Sequence, residues 1–226
     1  MGSEAIIIQN PTEAAAQLVL LFHGYGSNAA DLVPAGQAVA REFPKALVVS
    51  VNAPQQSRFA NGFQWFDVEG ITEENRQVRV DAAMPSFVDC IAHWQRQSSL
   101  GPQATAVIGF SQGAIMALES TKLAGASALR VVSIAGRFAT LPDAPAFEGT
   151  VHFLHGKEDP VIAYQHTVVA AHRLRDSGVD ITAEVQPFVG HEITQEFVEL
   201  TARKLSTHIS HRIWTQAVQN VAPGQA

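Results

Sequence analysis

Hydrophobic residues in this chain fall into short, almost unbroken runs separated by longer stretches with helical spacing. The runs cover Ala5–Gln9, Gln17–Phe22, Ala46–Val51, Ala104–Phe110, Leu129–Ala135, Val151–Leu154 and Ile181–Phe188. Several of these runs are almost continuously apolar, as strands covered on both faces are. Between them, apolar positions recur at helical intervals over about Asn28–Glu42, Glu73–Gln97, Gln112–Ala124, Tyr164–Ser177 and Ile193–His211. Strands that alternate with helices along most of the chain imply right-handed crossovers, hence an α/β fold with a mostly parallel sheet of about seven strands and helices on both faces. Ligand chemistry in such sheets sits at the carboxyl ends of the strands. The connection from Asn52 to Thr72 is long for a compact domain and predicts a functional loop; its Phe59, Phe63, Trp65 and Phe66 argue against disorder. No repeat or Pro/Gly/Ser linker divides the chain, so one domain is expected over residues 1–218, with residues 219–226 as a frayed tail.

Composition narrows the function. The 226 residues are 46% hydrophobic and 16% charged, enough to bury a large central sheet. A net charge of -6 argues against nucleic acid or anionic lipid as the main partner. No apolar run approaches the ~20 residues that cross a bilayer, and Met1 to Asn10 lacks the basic start and apolar stretch of a signal peptide, so no membrane insertion and a cytoplasmic location are expected. The single cysteine, Cys90, has no partner for an internal disulfide and falls in a helical pattern, which suits a buried thiol.

The chemistry concentrates at strand ends. Val107-Ile108-Gly109-Phe110-Ser111-Gln112-Gly113 is an apolar strand that ends in GxSxG and passes straight into a helix. In that context the serine occupies a strained turn that lifts its hydroxyl clear of the sheet and leaves the next backbone N–H facing an anion. Two glycines around a serine arise easily by chance, but two further features accompany them. Upstream, Leu18 to Phe22 runs into the loop His23-Gly24-Tyr25-Gly26; downstream, His155-Gly156-Lys157-Glu158-Asp159-Pro160 and Gly190-His191-Glu192 each follow a strand-like run. Serine, then acid, then histidine is the chain order of an α/β-hydrolase. A serine hydroxyl is a weak nucleophile that needs an imidazole to take its proton and a carboxylate to hold that imidazole. Ser111 and His191 suit the first two roles; His191 alone follows the last strand and comes after the acid. Glu158 and Asp159 share one turn and both remain open as the acid. The oxyanion donors are expected to be the backbone N–H groups of Gln112 and Tyr25, with the Gln112 side chain dispensable. His208 and His211 are spaced to share a metal, but no carboxylate or cysteine completes a ligand set, so neither metal nor organic cofactor is expected.

Six segments resemble one family. Phe22-His23-Gly24-Tyr25-Gly26, Asn52-Ala53-Pro54, Gln64-Trp65-Phe66-Asp67, Gly109 to Gly113, Gly156 to Val161 and Gly190 to Ile193 are similar to the phospholipase/carboxylesterase family of α/β-hydrolases, which includes acyl-protein thioesterases, and more closely to a bacterial esterase branch. The resemblance implies that Asp159, just before Pro160, is the acid, that His23 supports the oxyanion loop, and that the segment around Trp65 lies near the site, with Phe63 and Phe66 beside it as a substrate wall. It implies a serine carboxylesterase acting on short- to medium-chain acyl esters, with thioesterase or lysophospholipase and acyltransferase activities as alternatives. The substrate would be a small-molecule or lipid acyl ester, or an acylated protein. A catalytically silent binding module is the non-enzymatic alternative, since fold alone does not prove activity. Ala114 replaces a glycine common in the family and Ser27 an aspartate, which affects the expected shape of the acyl pocket and not the reaction class.

Overall fold

The computed structural model describes residues 4–58, 61–144 and 147–210. In chain order these form β1 (Ala5–Gln9), β2 (Gln17–Phe22), α1 (Val33–Glu42), β3 (Ala46–Val51), β4 (Gln55–Gln56), β5 (Phe63–Gln64), α2 (Glu73–Ser98), β6 (Thr105–Phe110), α3 (Gln112–Ser120), β7 (Arg130–Ile134), β8 (Thr150–Gly156), α4 (Gln165–Asp176), β9 (Asp180–Gln186) and α5 (Gln195–Thr207). Seven strands make one sheet in the order β1-β3-β2-β6-β7-β8-β9, in which β1 is antiparallel to β3 and the other pairs are parallel. No described helix is long and apolar enough to cross a membrane.

Side chains alternate between two cores because successive residues of a strand face opposite sides of the sheet. Leu18, Leu20 and Phe22 join α2, α3 and α4 through residues such as Phe87, Met116 and Leu174. Val19 and Leu21 join α1 and α5 through Val39, Phe197 and Leu205 on the other face. In register, Phe22 lies beside Gly109 and Phe110 beside Ile134, so β2, β6 and β7 end at one level. Three loops therefore open at the same edge.

Several boundaries differ from expectation, among them the start of the first helix, where Asn28 caps a 3-10 turn over Ala29–Leu32 and α1 begins at Val33. The 52–72 connection contains a short hairpin, β4 with β5, which periodicity over two residues cannot reveal. Gly26 N–H donates to Phe63 O at 2.9 Å and Phe63 N–H to Ser27 O at 2.8 Å, so the hairpin's second strand is bonded to the loop after β2. Phe59, predicted to belong to it, lies outside the described residues. Helix α3 stops at Ser120, because the Thr121 hydroxyl donates to Leu118 O within the last turn and Gly125 follows with φ +78°. Strand β9 stops at Gln186; Phe188, predicted within it, has φ 63° and is 87% exposed. Helix α5 stops at Thr207, while His211 and the predicted 219–226 tail lie outside the described residues.

Candidate active site

Ser111 sits between β6 and α3 with φ 53° and ψ -114°, in the left-handed region that a serine rarely adopts. Its N–H donates to Ile134 O at 2.9 Å, anchoring the turn to β7. Gly113 makes the turn sterically possible, since a Cβ there would lie 2.2 Å from Phe22 O. Compression of strand, turn and helix against β2 turns the serine side chain outward.

There it meets a hydrogen-bonded chain. His191 Nε2 lies 2.8 Å from Ser111 Oγ, and His191 Nδ1 lies 2.7 Å from Asp159 Oδ2. A carboxylate only accepts, so Nδ1 carries the proton and Nε2 is left to accept from the serine hydroxyl. Gly156 brings the two loops together: a Cβ there would fall 2.3 Å from Val189 O, and Glu158 N–H donates to Val189 O at 2.9 Å. Of the two carboxylates in that turn, Glu158 is exposed and Asp159 is the one that meets His191.

Asp159 is held on every side. Its Oδ1 accepts from the N–H groups of Val161 and Ile162 at 2.8 and 2.9 Å, and the buried His155 Nε2 stands 3.2 Å from Oδ2. Burial alone raises a carboxyl pKa, but the His191 contact and the two amides outweigh it and keep Asp159 below the usual carboxylate range. It stays ionised beside the imidazole. His155 also donates to Ile162 O at 2.8 Å and accepts from Thr167 Oγ1, so it braces the acid's turn.

His23 lies beneath the second loop. Its Nδ1 donates to Gly24 O at 2.7 Å and its Nε2 accepts from Ala53 N–H at 3.0 Å, a pattern only the neutral ring satisfies. Burial lowers its pKa in keeping with that form. Tyr25 follows in this loop, and Gln112 opens α3, where the first N–H groups have no acceptor within the helix. Both residues line the same cavity as Ser111. That arrangement can receive a carbonyl and the negative charge that develops on its oxygen.

The cavity, about 310 Å³, is walled by Phe66, Val68, Ile71, Ile115, Val161 and Ile162, with Arg76, Arg137 and His166 at one side. A larger one, about 680 Å³, is lined by Pro102, Leu123 and Phe147 and includes none of Ser111, Asp159 and His191. Of the predicted substrate wall, Phe66 is in the cavity. Trp65 is not among its lining residues: it is 1% exposed and packs edge-on against Phe22 and Phe87, with its indole N–H donating to His23 O. Phe63 is taken up by the β4–β5 hairpin and stands near the His23 ring. Large aromatics here complete the core beneath the site.

The Gln112 side chain also departs from expectation. It is 2% exposed; its Oε1 accepts from Trp65 N–H at 2.7 Å and its Nε2 donates to Phe66 O at 2.7 Å. The residue therefore pins the 63–66 segment to the serine turn. Sequence reasoning also missed Arg76, Arg137 and His166, whose charge and spacing carry no local signal of convergence. Elsewhere, Ser27 bonds to Asp31, Asp67 accepts from Glu69 N–H, and burial pushes the Cys90 thiol up to about 12. His208, the described member of the suggested metal pair, lies 2.7 Å from Asp180, and among the described residues no group of three His, Cys, Asp or Glu is placed to hold a metal ion.

The sheet order, the serine turn and the Ser–His–Asp chain define an α/β-hydrolase. The sequence pattern of the Phospholipase/Carboxylesterase family matches residues 3–213, and the chain belongs to that family. It is 43% identical over 224 residues to Esterase YpfH of Escherichia coli (strain K12), covering 99% of this chain and 97% of that protein. Acyl-protein thioesterase 1 of Kluyveromyces lactis is 27% identical over 188 residues, 74% of this chain and 79% of its own. The crystal structure of esterase PE8 superposes with a TM-score of 0.81 at 29% identity, covering 90% of this chain and 97% of that one.

Proposed function

We propose that this protein is a serine hydrolase that cleaves carboxylic esters through an acyl-enzyme. The observation that carries the reading is the unbroken chain from Ser111 Oγ through His191 to a buried, ionised Asp159. Esterase YpfH, similar along nearly the whole chain, supports ester bonds as the target. Ser111 Oγ attacks the carbonyl carbon while its proton passes to His191 Nε2. The oxyanion is held by the Tyr25 and Gln112 N–H groups, and its collapse expels the alcohol, which takes the proton from His191. Water then enters by the same base and releases the carboxylic acid. Asp159 orients the ring and stabilises the imidazolium. The acyl chain lies against Phe66, Ile115 and Ile162. Thioesters follow the same steps with a thiol leaving group, a reading favoured by the similarity to an acyl-protein thioesterase. A cytoplasmic setting belongs to this reading and is tested by cell fractionation.

Labelling with a fluorophosphonate probe tests the reading. Covalent modification at Ser111, abolished in Ser111→Ala, is expected together with hydrolysis of 4-nitrophenyl acyl esters. A folded protein that neither reacts nor hydrolyses is a silent binding module instead. Product analysis with added alcohols separates hydrolysis from acyl transfer, and matched thioesters measure the sulfur leaving group.

A further inference from the structure

The cavity that holds Ser111 is mainly apolar, yet two guanidinium groups border it. Arg76 comes from the first turn of α2 and Arg137 from the loop after β7, and both contact Glu73. Arg137 makes a two-pronged contact with that carboxylate at 2.7 and 3.0 Å, and Arg76 reaches it at 3.0 Å. Burial differs sharply within the trio. The side chains of Arg76 and Arg137 are 17% and 12% exposed, whereas Glu73 is 62% exposed and does not line the cavity. The carboxylate thus stands on the solvent side and the arginines on the cavity side.

Charge does not balance there. Two fixed positive groups share one carboxylate, and no Asp or Glu is among the described residues that line the cavity. The Arg76 Nε is buried and donates to no acceptor among the described residues. A purely structural clamp would be expected to use its donors internally, since a buried N–H without a partner is costly. His166 adds a polar group at the same wall. Burial, followed by the nearby Arg137 charge, lowers its pKa, so the ring is neutral at pH 7 and leaves the surplus near one positive charge. One surplus charge matches a monoanion better than a doubly charged phosphate; Arg137 commits both Nη atoms to Glu73 and its Nε to Phe138 O, so it supplies charge, while the unpartnered Arg76 Nε supplies a donor for a carboxylate.

We propose that this cavity selects ester substrates bearing a free carboxylate, held by Arg76 and Arg137 with His166 beside them, while Ser111 acts on the ester bond. The inference rests on the hydrolase reading above and names the substrate class of that site. Half-esters of dicarboxylic acids are the simplest molecules with this chemistry: an apolar methylene chain between a reactive ester and a charged end.

The test compares charged esters with neutral twins. One arm puts the charge on the acyl side, with 4-nitrophenyl hydrogen adipate, pimelate and suberate beside their methyl-capped diesters. A second puts it on the alcohol side, with the hexanoyl ester of 4-hydroxybutyrate beside its methyl ester. The readout is the ratio of kcat/KM, charged over neutral, for each pair. A ratio of about ten or more is expected in at least one arm, falling toward one in Arg76→Gln and in Arg137→Gln and partly restored in Arg76→Lys. Because both members of a pair meet the same enzyme, the ratio is insensitive to a smaller folded fraction in a variant. Ratios near one in every wild-type pair, or a preference that survives both glutamine variants, would overturn the proposal while leaving the hydrolase reading intact. Failure to cleave any ester, charged or neutral, would overturn both.

Discussion

Ser111 joins strain to proposed reactivity. Its φ of 53° costs on the order of 1–3 kcal/mol for a residue with a Cβ. Replacing it separates the two properties: Ser111→Ala and Ser111→Gly are both expected to lose turnover by about 10⁴-fold or more. Only the glycine variant relieves the backbone, so its urea midpoint should exceed that of the alanine variant by the equivalent of about 1 kcal/mol. Equal midpoints would show that the turn stores no strain. Gln112, the next residue, contributes in two ways. Gln112→Ala leaves the buried Trp65 N–H and Phe66 C=O without partners, at about 1–3 kcal/mol each if no water replaces the amide. Both stability and kcat/KM are expected to fall, since Phe66 lines the cavity. A Gln112→Ala protein with wild-type urea midpoint and kcat/KM would restore the simpler view that only its backbone matters.

At the scale of elements, the site depends on how closely α3 approaches β2. Gly113 is the contact point, with Phe22 O 2.2 Å from where a Cβ would stand and His23 O at 2.8 Å. Backbone cannot rotate away as a side chain can, so Gly113→Ala must push the helix off the strand. An expected loss of about 1–3 kcal/mol in urea unfolding should accompany a drop in kcat, because the shift separates the Gln112 and Tyr25 amides. The N-terminus of α2 is joined to the loop after β7 by Glu73 and Arg137. The Arg137 contact holds the Glu73 carboxyl down to about 2, opposed by slight burial and aided by Arg76. A depressed acid pKa means that this contribution is complete above the ordinary value of about 4.5 and is lost as pH falls toward 2. Solvent screening at this half-exposed pair keeps it small.

Over the whole molecule, buried histidines set the response to acid. His23, His152 and His155 all have lowered pKa values, in each case chiefly from burial, and His152 falls to about 3 with further repulsion from His208 and Lys204. An unfolded histidine takes its proton near pH 6.5, whereas these rings resist it in the fold. The unfolded state therefore binds more protons below that pH, so stability is fully present above about 6.5 and declines progressively toward pH 3. Urea midpoints between pH 8 and 4 should trace this decline, and His152→Gln should flatten part of it. A constant midpoint over that range would contradict the buried, neutral assignment.

Hydrophobic periodicity determined the strands of the sheet and its helices, and short motifs determined the GxSxG turn and the order of serine, acid and histidine, because both kinds of signal lie in residues close together in the chain. Local signals weakened at Thr121, Phe188 and the β4–β5 hairpin, where a side-chain bond, a left-handed residue or pairing with another loop set the boundary. Asp159 was legible through the resemblance, at the residue before Pro160, although residue types alone left Glu158 open; only the tertiary structure decided that Trp65 completes the core while Phe66 lines the cavity, and that Gln112 ties the two together. The convergence of Arg76, Arg137 and His166 was equally illegible, since they lie on three elements far apart in sequence. Which side chains face one another across a cavity follows from the packing of whole elements, and no stretch of chain short enough to carry a local pattern contains that information.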